Sequence, residues 1–162
     1  MAKRSTKTSP SVRPAGTRAQ STESAGVRYI ESSALVAALL ERDGAALTSV
    51  RTKGRQVTSA LTIAEAARAI LRARAGTRLT TDEERAAVGA LRRFERRSYL
   101  VAVTDAVLAR VRRPFPIEPI RTLDAVHLAT AELLGEPPQL VTVVTRDARV
   151  RDNARALGYA VE

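Results

Sequence analysis

The sequence contains no cysteine, no tryptophan and a single histidine, His127. The first absence excludes disulfides and thiolate metal sites. The lone histidine excludes a His-rich zinc site or a paired-histidine centre. A metal, if bound, is held by oxygen, which points to Mg2+ or Mn2+. Aromatic residues make up only 3% of the chain, two Phe and three Tyr, too few for the stacking platforms of an aromatic-lined single-strand binder. No apolar run approaches the ~20 residues that span a bilayer, and the N-terminus has no apolar signal core. A soluble, cytoplasmic protein with no membrane partner is therefore expected.

What the chain does have is a 44% hydrophobic fraction, drawn mostly from Ala, Leu and Val, and a net charge of +10 with a pI near 11.2. The first is enough for one core in a chain of 162 residues. The second favours polyanionic partners, nucleic acid before others, although a basic tail and Arg-rich composition give the same number. Residues 1–26 read as a disordered basic arm, with the domain over 27–162. Up to Arg28 the tail sets Lys3, Arg4, Lys7, Arg13, Arg18 and Arg28 against Glu23 alone, in a background of Ser, Thr, Pro and Gly without periodicity. A start near Val27, with the arm an over-extended reading frame, is a second reading; mass spectrometry of the native N-terminus decides between them.

From Val27 the pattern becomes regular. Strands are expected at Val27–Ile30, Gln56–Ser59, Leu100–Val103, Leu140–Val144 and Tyr159–Val161, with an extended Ile117–Ile120. Helices are expected from Ser32 or Ser33 to Glu41, over Ala45–Lys53, from a Thr62 cap to Ala75, and from Thr81 to Arg97, where Thr81 and Glu84 have capping-box spacing. Three more run from Thr104 to Arg112, from a Thr122 cap to Leu134, and over Arg146–Leu157. Short, continuously apolar strands alternating with helices predict a parallel sheet covered on both faces. Ligands of such folds bind outside the carboxyl ends of the strands.

Four acids fall at those strand ends or on helix starts beside them. Glu31 directly follows the first strand. Glu65 lies one turn into the helix after the second. Asp124 is in the first turn of the helix after Ile117–Ile120, and Asp147 follows Val144 by three residues. Each alone also fits a helix-start acid favoured by the macrodipole. Brought together, they repel: two like charges at 4 Å cost about 4 kcal/mol at an effective dielectric near 20. A divalent cation removes that cost and suits phosphodiester cleavage.

The segments around these acids resemble the motifs of PIN-domain ribonucleases. Tyr29-Ile30-Glu31-Ser32-Ser33-Ala34-Leu35-Val36 is similar to the family's opening, and Thr58-Ser59-Ala60-Leu61-Thr62-Ile63-Ala64-Glu65 to its second motif. Arg121-Thr122-Leu123-Asp124-Ala125-Val126-His127-Leu128-Ala129 is close to the third. Val144-Thr145-Arg146-Asp147-Ala148-Arg149 resembles the fourth. All occur in order. The resemblance implies an α/β fold, a three-layer α/β/α sandwich around a central parallel sheet. It implies RNA cleavage with Mg2+ or Mn2+, and a VapC-type toxin with a cognate antitoxin and a homodimeric state. By position, Glu31 and Asp124 become the principal metal ligands, Glu65 and Asp147 complete the cluster, and Ser33 and Thr145 support it.

One departure stands out: the family's first acid is Asp, and here it is Glu31. The extra methylene moves the carboxylate by about 1–1.5 Å, and a ~1 Å misplacement costs on the order of 100-fold in rate. Metal binding is expected to persist with reduced activity, and Glu31→Asp to raise turnover. Arg146 and Arg149 flank the acids as RNA-phosphate contacts; Arg92, Arg93, Arg96 and Arg97 read as a solvated helix face before a phosphate-binding one, and His127, three residues after Asp124, as a packed histidine or one that supports a ligand before a general acid. The competing readings are a PIN-like RNA-binding module without cleavage and a DNA-directed nuclease. A phosphoacceptor receiver domain is rejected, because Glu31 stands alone and no Lys follows Lys53.

Overall fold

The computed structural model of the chain describes residues 26–41 and 43–162. The expected basic arm, up to residue 25, lies outside the described residues.

Five strands form one parallel sheet, β1 (Val27–Ile30), β2 (Arg55–Ser59), β3 (Tyr99–Val101), β4 (Val141–Val144) and β5 (Ala160–Val161), in the order β3-β2-β1-β4-β5. Their helices are α1 (Ser32–Leu40), α2 (Gly44–Arg51), α3 (Ala60–Ala75), α4 (Thr81–Arg97), α5 (Asp105–Val111), α6 (Thr122–Glu132) and α7 (Ala148–Ala156). Strand β1 is central, pairing Tyr29 with Val57 on one side and with Val143 on the other. The chain runs outward from β1 through β2 to β3, then returns to the far side of β1 for β4. That reversal places the sheet's switch point at the carboxyl ends of β1 and β4, where open α/β sheets bind ligands.

Alternation along the strands divides the core in two. Val27, Tyr29, Val57, Val141 and Val143 face one way and pack with Val126, Leu128 and Ala129 of α6 and Val150 of α7. Ile30 and Val144 face the other way, against Leu35 of α1, Ile70 of α3 and Leu91 and Phe94 of α4. Helices thus cover both faces, and the three-layer α/β/α sandwich is as the sequence predicts. Among the described residues no helix is long and apolar enough to cross a membrane.

Several element starts differ from the sequence expectation. Helix α1 is capped by Glu31, whose carboxylate accepts from the Ser33 amide, rather than by Ser32 or Ser33. Helix α3 begins directly after β2, capped by the Ser59 hydroxyl instead of Thr62. The capping box of α4 is Thr80 with Glu83, one residue earlier than Thr81 with Glu84. Thr122 is the first residue of α6, and the cap position, Arg121, makes no side-chain cap bond. Helix α7 starts at Ala148 because Asp147 caps it. The extended Ile117–Ile120 is no strand. Pro114, Pro116 and Pro119 remove ladder donors there. The amides of Phe115 and Ile120 donate instead to Glu118 (3.0 and 2.8 Å), and Ile117 exchanges two 2.9 Å bonds with the side chain of Asn153. Asp124 therefore arrives on α6 from a proline-rich loop, not from a strand end.

Candidate active site

The ends of β1 and β4 lie side by side, and their next residues, Glu31 and Thr145, begin the site. Glu31 is only 2% exposed. Its Oε2 accepts from the Ser33 amide (3.0 Å) and from Thr145 Oγ1 (2.8 Å), and also from Ser33 Oγ. Its Oε1 accepts from Ser32 Oγ at 2.6 Å. Charge-assisted bonds of this kind are the stronger class, and they fix the carboxylate of a residue that must lose its water.

Ser33 also ties the fourth motif to the first. Its Oγ accepts from the backbone amides of Arg146 (2.7 Å) and Asp147 (3.0 Å), and the Asp147 amide also reaches Thr145 Oγ1 at 3.1 Å. Asp147 spends Oδ1 on the amides of Arg149 and Val150 at the start of α7 (2.7 and 3.2 Å). Its Oδ2 takes part in none of these bonds.

Asp124, in the first turn of α6, is the least settled acid. Its Oδ2 is buried and has no hydrogen-bond partner. Burial first, then the charges of Asp147 and Glu31, push its carboxyl above the usual aspartate range. Glu65, on α3, is half-buried, and its Oε2 lies 2.7 Å from His127 Nε2. Burial raises its carboxyl, but the hydrogen bond from His127, with smaller help from Ser32 and Arg72, brings it below the ordinary glutamate value.

The fold thus gathers Glu31, Ser33, Thr145 and Asp147 into one hydrogen-bonded knot. It sets Asp124 within electrostatic reach of that knot and joins Glu65 to it through His127. The four acids are not drawn into a finished cage: among the described residues no three Asp, Glu or His side chains form a ready metal site. The donor set is nevertheless all oxygen, as hard cations require, and the orphaned Asp124 Oδ2 is a buried carboxyl oxygen without a hydrogen-bond partner, on which the charges of Asp147 and Glu31 outweigh those of Arg121 and His127. These residues fit a divalent ion.

The two arginines of the fourth motif part ways. Arg149 is exposed beside the acids. Arg146 turns its Nε onto Asp43 Oδ2 at 3.1 Å, so much of its charge anchors α2 to the site rather than awaiting substrate. Asp43 also caps α2 through the Ala46 amide at 2.9 Å. Sequence reasoning missed Asp43, although Asp before Gly44-Ala45-Ala46 is an N-cap signal. It also missed Ser32 as a direct partner of Glu31, and Tyr29, whose hydroxyl lies 3.2 Å from His127 Nδ1.

The PIN-domain family profile matches residues 28–156, which takes in all four acids. Ribonuclease VapC35 of Mycobacterium tuberculosis (strain CDC 1551 / Oshkosh) is 38% identical over 141 residues, covering 82% of this chain and 93% of that protein. Ribonuclease VapC46 of Mycobacterium tuberculosis (strain ATCC 25618 / H37Rv) is 40% identical over 135 residues, covering 82% and 94%. The crystal structure of PAE2754 from Pyrobaculum aerophilum shares the fold with a TM-score of 0.56 at 21% identity, over 85% of this chain and 90% of that one. Profile, relatives and the ordered motifs agree: the chain belongs to the PIN-domain family and, within it, to the VapC ribonucleases.

Proposed function

We propose that this chain is an Mg2+- or Mn2+-dependent endoribonuclease that cleaves RNA phosphodiester bonds at the carboxyl ends of β1 and β4. The observation that carries the reading is the buried, unpartnered Oδ2 of Asp124, pressed by the charges of Asp147 and Glu31. Such an arrangement is unfavourable alone and becomes favourable with a cation.

Glu31 and Asp124 are the principal ligands in this reading, with Glu65 and Asp147 completing the cluster. Because Glu31 Oε2 already accepts three hydrogen bonds, Oε1 is the oxygen it offers. A bound divalent ion supplies the charge that activates water and stabilises a departing oxygen. Ser33 and Thr145 hold Glu31 in place, and Asp147 keeps Oδ1 on its helix amides. Arg149 and the basic surroundings steer the phosphate backbone towards the acids. The VapC relatives favour a cognate antitoxin as the partner that holds the enzyme inactive; a homodimer and a cytoplasmic setting belong to the same proposal.

The test is cleavage of total RNA by purified, antitoxin-free protein, with Mg2+, with Mn2+ and with EDTA, beside Asp124→Ala. Discrete metal-dependent products that vanish in the variant are expected. A folded protein that binds RNA and cleaves it with neither metal would favour the RNA-binding module instead.

A further inference from the structure

His127 is 1% exposed and lies three residues after Asp124 on α6. A histidine that only fills space needs its two nitrogens satisfied and nothing more. Here both nitrogens meet side chains from other elements of the site. Nδ1 faces the Tyr29 hydroxyl of β1 at 3.2 Å, and Nε2 faces Glu65 Oε2 of α3 at 2.7 Å. Nε2 also lies 3.8 Å from Glu31 Oε1. Two acids of the site thus lie on the Nε2 side of the imidazole, and Tyr29 lies on the other.

Tyr29 sets the direction of this chain. It is 1% exposed, and the edge of its ring meets the histidine at 65° with centroids 6.4 Å apart. The Glu65 carboxylate can only accept at Nε2, so in a neutral ring Nδ1 is the acceptor and the Tyr29 hydroxyl its donor. A phenol that donates to Nδ1 leaves the ring proton on Nε2, where it can only be given to a carboxylate. Outer partners of this kind orient ligands and tune their affinity for the ion.

We infer that His127, backed by Tyr29, is a positioning residue that holds one oxygen of Glu65 and so aims the other into the acid cluster. The inference rests on the metal-dependent reading above. It assigns His127 no contact with RNA and no proton transfer in cleavage.

Two measurements on the full chain test it. The first is long-range 1H–15N NMR of the imidazole, unambiguous because the chain has one histidine. It should show the proton on Nε2 without metal, and Glu65→Gln should shift both ring nitrogens. The second is Mn2+ affinity by calorimetry. His127→Leu should weaken binding about tenfold, the lower end of measured outer-partner effects. His127→Gln, whose amide can replace the Nε2 donor, should recover most of it. Glu65→Ala with His127→Leu should bind no more weakly than Glu65→Ala alone, because one residue acts through the other. If His127→Leu does not fold, Tyr29→Phe keeps the ring in place and should still weaken binding several-fold.

Unchanged Mn2+ affinity in His127→Leu, or losses that add in full in the double variant, would overturn the role while leaving the metal site standing. A wild type that binds no Mn2+, while its imidazole still answers Glu65→Gln, would overturn the metal reading and the role with it. An imidazole indifferent to Glu65→Gln would overturn the pairing itself.

Discussion

At Glu31 one methylene decides what the carboxylate can reach. From the sequence, Glu in place of Asp is a longer arm at a position where geometry matters, and shortening it promises faster turnover. The structure gives the length a use. The carboxylate bridges the start of α1, through Ser33, to Thr145 after β4, and keeps Oε1 beside Ser32 and His127. Retraction by about 1 Å strains the span to Thr145. We therefore expect Glu31→Asp to lower the rate of RNA cleavage at saturating Mn2+ by about tenfold or more; a faster variant would return the argument to the sequence. Asp124 carries a second prediction. Its folded pKa is raised by burial and then by Asp147 and Glu31, so its contribution to stability is whole below its unfolded value and is lost as pH rises through the raised one. In EDTA at pH 7, Asp124→Asn should melt higher than wild type, by on the order of a few degrees, and the gap should close below about pH 4. A lower Tm at pH 7 would contradict that sign. The acids themselves were legible from their places after strands and in first helical turns. Their hydrogen-bond partners were not, because pairs such as Glu31 with Thr145 are remote in sequence and depend on the register of β1 against β4.

At the scale of elements, apolar runs and cap residues located every strand and helix to within a few positions, and the misses have local causes. Capping is contested where Ser and Thr cluster: Thr80 and Thr81 both offer a hydroxyl with an acid three residues on, and the fold uses Thr80 with Glu83. That box starts the longest helix of the site's outer layer, whose Ala87, Leu91 and Phe94 close the second core. Thr80→Ala should cost about 1 kcal/mol, within the usual range for a lost N-cap, read as a lower urea midpoint at unchanged slope; Thr81→Ala should cost much less. Equal effects would mean that the box has no preferred register. Ile117–Ile120, expected as extended chain, joins no sheet. Its β-branched ends look like strand, while its prolines and Glu118 satisfy the backbone locally. The loop still brings α6, and so Asp124 and His127, onto the sheet through Asn153, a long-range bond that no local pattern announces.

For the whole molecule, topology does what no single residue can. The switch beside β1 brings motifs separated by more than a hundred residues into contact, as Ser33 with the amides of Arg146 and Asp147 attests. The sheet also has an open edge at β3, where Tyr99 is 63% exposed, and exposed Val103 and Leu108 follow it in the chain. Exposed apolar edges promote association unless covered. If this edge forms the expected homodimer, wild type should elute with twice the mass of Tyr99→Glu in light-scattering chromatography; equal masses would remove β3 from the interface. The central claim, that the acids at the end of β1 and β4 hold a divalent ion, is tested most directly by anomalous diffraction from a crystal of the full chain soaked in Mn2+. The account predicts a peak bordered by Glu31 Oε1 and Asp124, with Glu65 or Asp147 beside it, and no peak in Asp124→Ala. An anomalous map empty there under saturating Mn2+, or a peak held by other residues, would contradict it.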